Sequence, residues 1–317
     1  MLTRRQMMAS AVAVAAVPLA ARAADPVTVV ATTGMIADAA AVIGGDAVAV
    51  QGLMGPGVDP HGYRQTRTDI VALARADLVL WHGLYLEAQL ESLLQEMASR
   101  TTVVAVADRL PHDVLIAHTQ YADKFDPHVW MDPGLWSLVA GYVGDALAAA
   151  QPTAEAAMRA RQADYQTRIA GLRGYAAETL ASVPAGARVL VTAHDAFSYF
   201  GRAFGFEVVG IQGISTESEA GLARVAEVVD LLVARKIGAV FVESSVSDRN
   251  MRALQEGARA RGHAVDIGGT LFSDAMGATG TYEGSYLGMI DHNVTTIARA
   301  LGGQVPQAGW QGRLGQA

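Results

Sequence analysis

From residue 27 onward the chain alternates between short, unbroken apolar runs and longer stretches of helical periodicity. VTVVATT (27–33) predicts a strand, and the apolar spacing over 35–43 predicts a helix stopped by Gly44-Gly45. AVAVQGL (47–53) predicts a second strand, followed by the Gly/Pro loop MGPGVDPHGY. A helix over 68–76, capped by Thr68 or Asp69, leads to strand DLVLWHG (77–83), a helix over 86–99 and strand TVVAVAD (102–108). The pattern restarts with strands at 187–194, 207–213, 239–245 and 264–270, separated by helices over 196–204, 219–235 and 249–261. A last helix is expected over 282–301. Apolar strands alternating with helices imply parallel βαβ units, covered on both faces.

Between the two sets lies a long stretch, 153–183, with no strand signal. It follows Pro152, offers Thr153 as a cap and Glu155 in its first turn, and ends at Pro184. Ala157, Ile169 and Leu172 keep helical spacing among many polar residues. This pattern predicts one long helix joining two halves, with Gly171 and Gly174 as places where it could kink. The expected architecture is α/β: two lobes, each with a four-stranded parallel sheet flanked by helices. Residues 25–152 form the first lobe, 153–184 the linking helix and 185–317 the second lobe. The closing stretch GWQGRLGQA (309–317) is expected to be loose.

Residues 1–24 stand apart from this pattern. They have a basic start, an apolar run over 7–20 and a small-x-small site at Ala21-Arg22-Ala23. That is the layout of a secretory signal peptide, and Thr3-Arg4-Arg5 resembles a twin-arginine signal. The apolar run is short for a span of roughly 20 residues. The expected location is the periplasm. The 317-residue chain is 51% hydrophobic and 17% charged, with a net charge of −7. It has no basic run, which argues against nucleic acid as a partner. It also has no cysteine, so disulfides, thiolate zinc sites, Cys nucleophiles and a lipidated N-terminal cysteine are all excluded. Any metal would be held by His, Asp, Glu or backbone oxygen.

Candidate ligands concentrate after strands. Asp-Pro-His occurs twice, in GVDPHGY (57–63) and FDPHVWMDP (125–133). His61 follows the second predicted strand, His128 the fourth, and His194 ends the fifth. Asp274 follows the last strand, in GGTLFSDAMG. Open parallel sheets bind ligands outside the carboxyl ends of their strands, so two groups from each half can meet in one cleft. Three imidazoles and a carboxylate suit a first-row divalent ion. As four protein ligands they close the shell, which favours holding an ion over using it. Pro60 and Pro127 limit the backbone before each histidine. His82 also ends a strand, and spacing alone leaves it open as a further ligand. His112 and His118 fall in a peripheral loop, while His263 and His292 fall in helical contexts.

The blocks DPHGYRQTRTDI, FDPHVWMDP, VTAHDAFSYFGRAFGFEVVGIQGISTESEAG and GGTLFSDAMGATGTYEGSYLGMIDHN occur in that order. Together they resemble the cluster A-I metal-binding proteins, the TroA-like solute-binding subunits of bacterial zinc and manganese ABC importers. The resemblance runs over 27–301. It implies two α/β lobes joined by one long helix, with the ion between them, and His61, His128, His194 and Asp274 as its ligands. It implies Zn²⁺ or Mn²⁺ as the transported ligand, a membrane permease with its ATPase as partner, a monomeric chain and no enzymatic activity. His82 falls where relatives often carry Asn, which places it behind the ligands. Zinc-specific members often carry a His-rich loop between the first two ligands, and HTQYADKFDPH (118–128) has no such run. A single joining helix implies modest lobe movement on capture and release.

Two other readings compete. A metal-dependent hydrolase would need an open coordination position and a base, for which Glu217, Glu219 or Glu243 are available. No His-Glu-x-x-His pair is present, and Glu243 also fits as a partner of a ligating histidine. An organic-solute receptor could line a pocket with Trp81, Trp130 and Trp136, although tryptophans near strand ends belong more often to the core.

Overall fold

A computed structural model describes residues 25–118 and 121–315 of the chain. The signal-peptide reading falls on 1–24, outside the described residues. Strands β1 (Val27–Ala31), β2 (Val48–Gly52), β3 (Leu78–Trp81) and β4 (Thr102–Ala105) form one parallel sheet in the order β2-β1-β3-β4. Helices α1 (Gly34–Gly44), α2 (Arg67–Arg75) and α3 (Glu91–Met97) supply the crossovers. Leu78, Val79, Leu80 and Trp81 are all buried, as expected of a strand covered on both faces.

Helix α4 (Pro133–Ala150) was not anticipated from the sequence. Its start is nonetheless written in MDPG: Asp132 caps by accepting the Gly134 amide (2.8 Å), and Pro133 takes the first helical position. For α2, the cap is Thr66 rather than Thr68 or Asp69. Asp69 is the third helical residue, and its carboxylate reaches back to the Thr66 amide (2.6 Å) in a capping box.

Helix α5 (Glu155–Ala181) runs unbroken for 27 residues through Gly171 and Gly174. One face is buried: Met158, Tyr165, Ile169, Leu172, Ala176, Thr179 and Leu180. Ala157 is exposed, and Met158 occupies the inward position instead. This stripe packs against α1, α4, α6 (Ser198–Phe204) and α9 (Tyr286–Ala300), so one continuous core includes residues from both halves. That shared burial keeps the helix continuous through the glycines. At Gly171 the absence of a side chain also admits Trp310, whose ring would lie 3.3 Å from an added Cβ. The Trp310 amide donates to both Asp291 oxygens (2.9 and 3.0 Å), and Arg313 lies over the Tyr282 ring. The end of the chain, expected to be loose, is therefore docked as far as it is described.

In the second half, β5 (Val189–Thr192) pairs in parallel with β6 (Glu207–Gly210), and β7 (Ala239–Glu243) with β8 (Asp266–Leu271). Strand β5 lies beside β7, but the four strands divide into two ribbons instead of forming one ladder. At the carboxyl end of this junction the His194 amide donates to the Glu243 side chain (2.9 Å). Helices α7 (Leu222–Arg235) and α8 (Arg249–Ala260) cover this half. The α/β class, the parallel strands and the long joining helix stand as expected. No helix among the described residues is long and apolar enough to cross a membrane.

Candidate metal centre

Each Asp-Pro-His motif folds the same way, and the aspartate does the folding. Asp59 Oδ1 accepts the His61 amide (2.9 Å), and Asp126 Oδ1 accepts the His128 amide (2.9 Å). Asp two residues ahead of a backbone N–H is a turn-forming arrangement, so each motif turns the chain sharply after its strand and aims the imidazole inward. His194 arrives differently, just beyond β5, with its amide tied to Glu243 at the end of β7. Asp274 lies beyond β8, where Trp130 Nε1 donates to the preceding carbonyl, that of Ser273 (2.8 Å). Tyr286 in turn donates to the Trp130 carbonyl (2.8 Å). The turn that carries His128 and the strand end that carries Asp274 are thus tied together.

These four side chains meet. One ligand atom from each of His61, His128, His194 and Asp274 lies within 4.8 Å of the others, and all four residues are buried. His61 Nε2 is 3.2 Å from His128 Nε2; His128 Nε2 is 3.4 Å from Asp274 Oδ1; His194 Nε2 is 3.3 Å from Asp274 Oδ2. A tetrahedral shell with bonds of about 2.0–2.1 Å has edges of roughly 3.3–3.4 Å, and the closest approaches here are of that size. Asp274 turns one oxygen to each of two histidines. It also lines a cleft of about 360 Å³ with Met54, Pro56 and Met276.

The electrostatics divide the three imidazoles. Burial pushes His61 down to about 3, which keeps it neutral. Burial opposes charge on His128 as well, but Asp126 and Asp274 together outweigh it and raise His128 to about 9. The same contest at His194, between burial and the carboxylates of Asp274 and Glu243, ends well above the ordinary value. Asp274 is held well below the usual carboxylate range: burial alone would raise it, and His194 and His128 override that.

Two further carboxylates lie behind candidate ligands. Asp126 Oδ1 also contacts His128 Nδ1 (2.7 Å), and Glu243 Oε2 lies 2.5 Å from His194 Nδ1. The Asp126 bond fixes the His128 ring so that Nε2 faces the centre, and Glu243 forms an ion-pair contact at the far side of the His194 ring. Glu243 is thereby engaged with His194 at both the ring and the amide, in the role of histidine partner. Asp126 was missed in the sequence, although it sits inside the motif that drew attention; the turn propensity of Asp before Pro-His was the available signal. Glu217 and Glu219 are exposed, bonded to Gln89 and Gln212.

His82 lies outside the cluster. It is fully buried, its Nε2 donates to the Pro127 carbonyl (2.7 Å), and its ring meets Trp130 edge-on. Burial lowers its pKa to about 3. It supports the backbone just before His128. His263 and His292 bond the carbonyls of Ile237 and Thr270, and His112 packs on Phe125. Trp81, Trp130 and Trp136 are buried.

Fold and cluster together define a class: two α/β halves, joined by a long helix, that enclose a small solute at facing strand ends. Within that class the chain belongs to the family described as zinc-uptake complex component A, periplasmic, whose model matches residues 29–300. It is 47% identical over 273 residues to the manganese-binding lipoprotein MntA of Bacillus subtilis (strain 168), covering 86% of this chain and 89% of that one. It is 45% identical to the zinc-binding protein TroA of Treponema pallidum (strain Nichols), covering 86% and 88%. The solved structure of periplasmic zinc-binding TroA from Treponema pallidum superposes with a TM-score of 0.84, covering 87% of this chain and 99% of that one. The iron-binding protein YfeA of Yersinia pestis is 32% identical, covering 86% of each chain.

Proposed function

We propose that the protein is the periplasmic solute-binding subunit of an ABC importer. It captures Zn²⁺ or Mn²⁺ with His61, His128, His194 and Asp274 and delivers the ion to a membrane permease driven by its ATPase. It acts as a monomer, without catalysis. Residues 1–24 export it, 25–152 and 185–317 are the two lobes, and 153–184 link them. The observation that carries this reading is the convergence of four buried ligand atoms from four separate strand ends. Family membership supports the same reading.

The donor set favours holding the ion. Four protein ligands fill a tetrahedral shell without an open position for a reactive water. Glu243, the strongest candidate for a general base, is occupied with His194. Three imidazoles bind Zn²⁺ more tightly than Mn²⁺ in the general order of divalent affinities. The relatives' names include manganese, zinc and iron, so the cargo follows from supply as well as from affinity. The test is metal content by mass spectrometry after chelation and exposure to equimolar Zn²⁺ and Mn²⁺. Wild type is expected to retain one ion per chain, and His61→Ala to lose it. A wild type that retains none would overturn the reading.

A further inference from the structure

His61 is anchored differently from its two neighbours. Asp126 and Glu243 meet Nδ1 of His128 and His194. Among the described residues no carboxylate meets Nδ1 of His61, whose hydrogen bonds run through its amide and its Nε2. The amide bond to Asp59 is therefore its main tether, in a loop rich in Gly and Pro (Gly55, Pro56, Gly57, Pro60, Gly62).

Asp59 has a second task. While Oδ1 holds the His61 amide, Oδ2 accepts the hydroxyl of Thr216, which lies 157 residues further on in the loop between β6 and α7. One half-buried carboxylate thus joins a ligand of the first half to a loop of the second. The adjacent residue repeats the crossing: Gln89 Nε2 donates to Glu217 Oε1 (2.8 Å). Ile214, Ser215 and Glu217 of this loop also line the small enclosed space beside His61.

We infer that the Asp59–Thr216 hydrogen bond is a latch across the cleft that positions His61 and sets the rate at which the ion leaves. Any movement that parts the halves at this edge must break it, and breaking it loosens the carboxylate that holds the His61 amide. Loss of His61 leaves a three-ligand shell, from which the ion departs more easily. His128 and His194 keep their own carboxylates throughout, so the shell opens at a defined corner. Asp59 and Thr216 are positioning residues that act through His61. The inference rests on the four-ligand reading above.

The test is dissociation of Zn²⁺ into a chromophoric chelator, followed by stopped flow, for wild type, Thr216→Val, Thr216→Ser, Asp59→Ala and the Asp59→Ala/Thr216→Val pair. A hydrogen bond to a charged group at a partly exposed site corresponds to about a tenfold change. Thr216→Val is expected to release the ion about tenfold faster, with its association rate and thermal midpoint unchanged. Thr216→Ser, which restores the hydroxyl, is expected to restore the wild-type rate. Adding Thr216→Val to Asp59→Ala is expected to change nothing further, because the latch is already gone. A wild-type rate in Thr216→Val overturns the inference. So does a faster rate that multiplies unchanged in the Asp59→Ala background. A wild type that takes up no Zn²⁺ overturns the receptor reading itself, and the two failures are distinct.

Discussion

Capture of a divalent ion by this site should expel about two protons at neutral pH. In the free protein the carboxyl groups of Asp126, Glu243 and Asp274 are buried around the imidazoles, and among the described residues their ion-pair contacts are all to histidine. His128, although burial opposes its charge, is raised to about 9 by Asp126 and Asp274. His194 is raised well above its ordinary value despite the same opposition. His61 is held neutral by burial. At pH 7 the free site therefore carries two imidazolium rings, and a metal ion requires both in neutral form. Two protons leave as two positive charges enter, so the buried charge is conserved. The competing groups lose protons as pH rises, so affinity rises with pH and levels off only above about 9, where His128 titrates. A release of two protons corresponds to roughly a hundredfold change in apparent affinity per pH unit. Calorimetry in buffers of different ionisation enthalpy measures the proton count, and chelator competition between pH 6 and 8 measures the slope. Release of half a proton or less, or an affinity flat across that range, would show that the imidazoles are neutral before the ion arrives, and would refute the reasoning.

Asp126→Ala removes the acceptor shared by the ring and amide of His128. A loss of about 10- to 100-fold in metal affinity is expected, with the secondary structure intact; titration against a chelator checks it. Leu172→Ala hollows the fully buried face of α5, and about 2–5 kcal/mol of stability should be lost in denaturant unfolding. Because the core of α5 includes residues from both halves, that loss should appear in one transition, and two separate transitions would contradict the shared core. The same continuous, packed helix limits the hinge, so small-angle scattering should show little compaction on ion binding, and a large one would contradict this view.

Much of this was legible in the sequence because the signals were local and redundant. The apolar runs of β3, β5 and β7 are buried as a parallel sheet demands, while the edge strands β2 and β4 and the strands β6 and β8 stay half-buried or exposed along most of their length; the four candidate ligands, which follow strands, converge in space. Signals failed where one local cue competed with another. Asp132-Pro133 begins a helix, but beside His128 it read as part of a loop motif. Gly171 and Gly174 read as weak points, yet tertiary packing of one helical face overrides propensity there. The second half divides its four strands into two ribbons, a pairing that the apolar strand pattern does not encode. The partnership of Asp59 with Thr216 joins positions far apart in the chain, so only the folded structure brings it out.

The most direct test of the central claim is an anomalous difference map from crystals of the Zn²⁺-loaded protein, collected on either side of the zinc absorption edge. The account predicts one peak per chain, about 2.0–2.2 Å from Nε2 of His61, His128 and His194 and from a carboxylate oxygen of Asp274. A peak elsewhere, or one coordinated by His82 or Glu243 in place of any of these four, would contradict it.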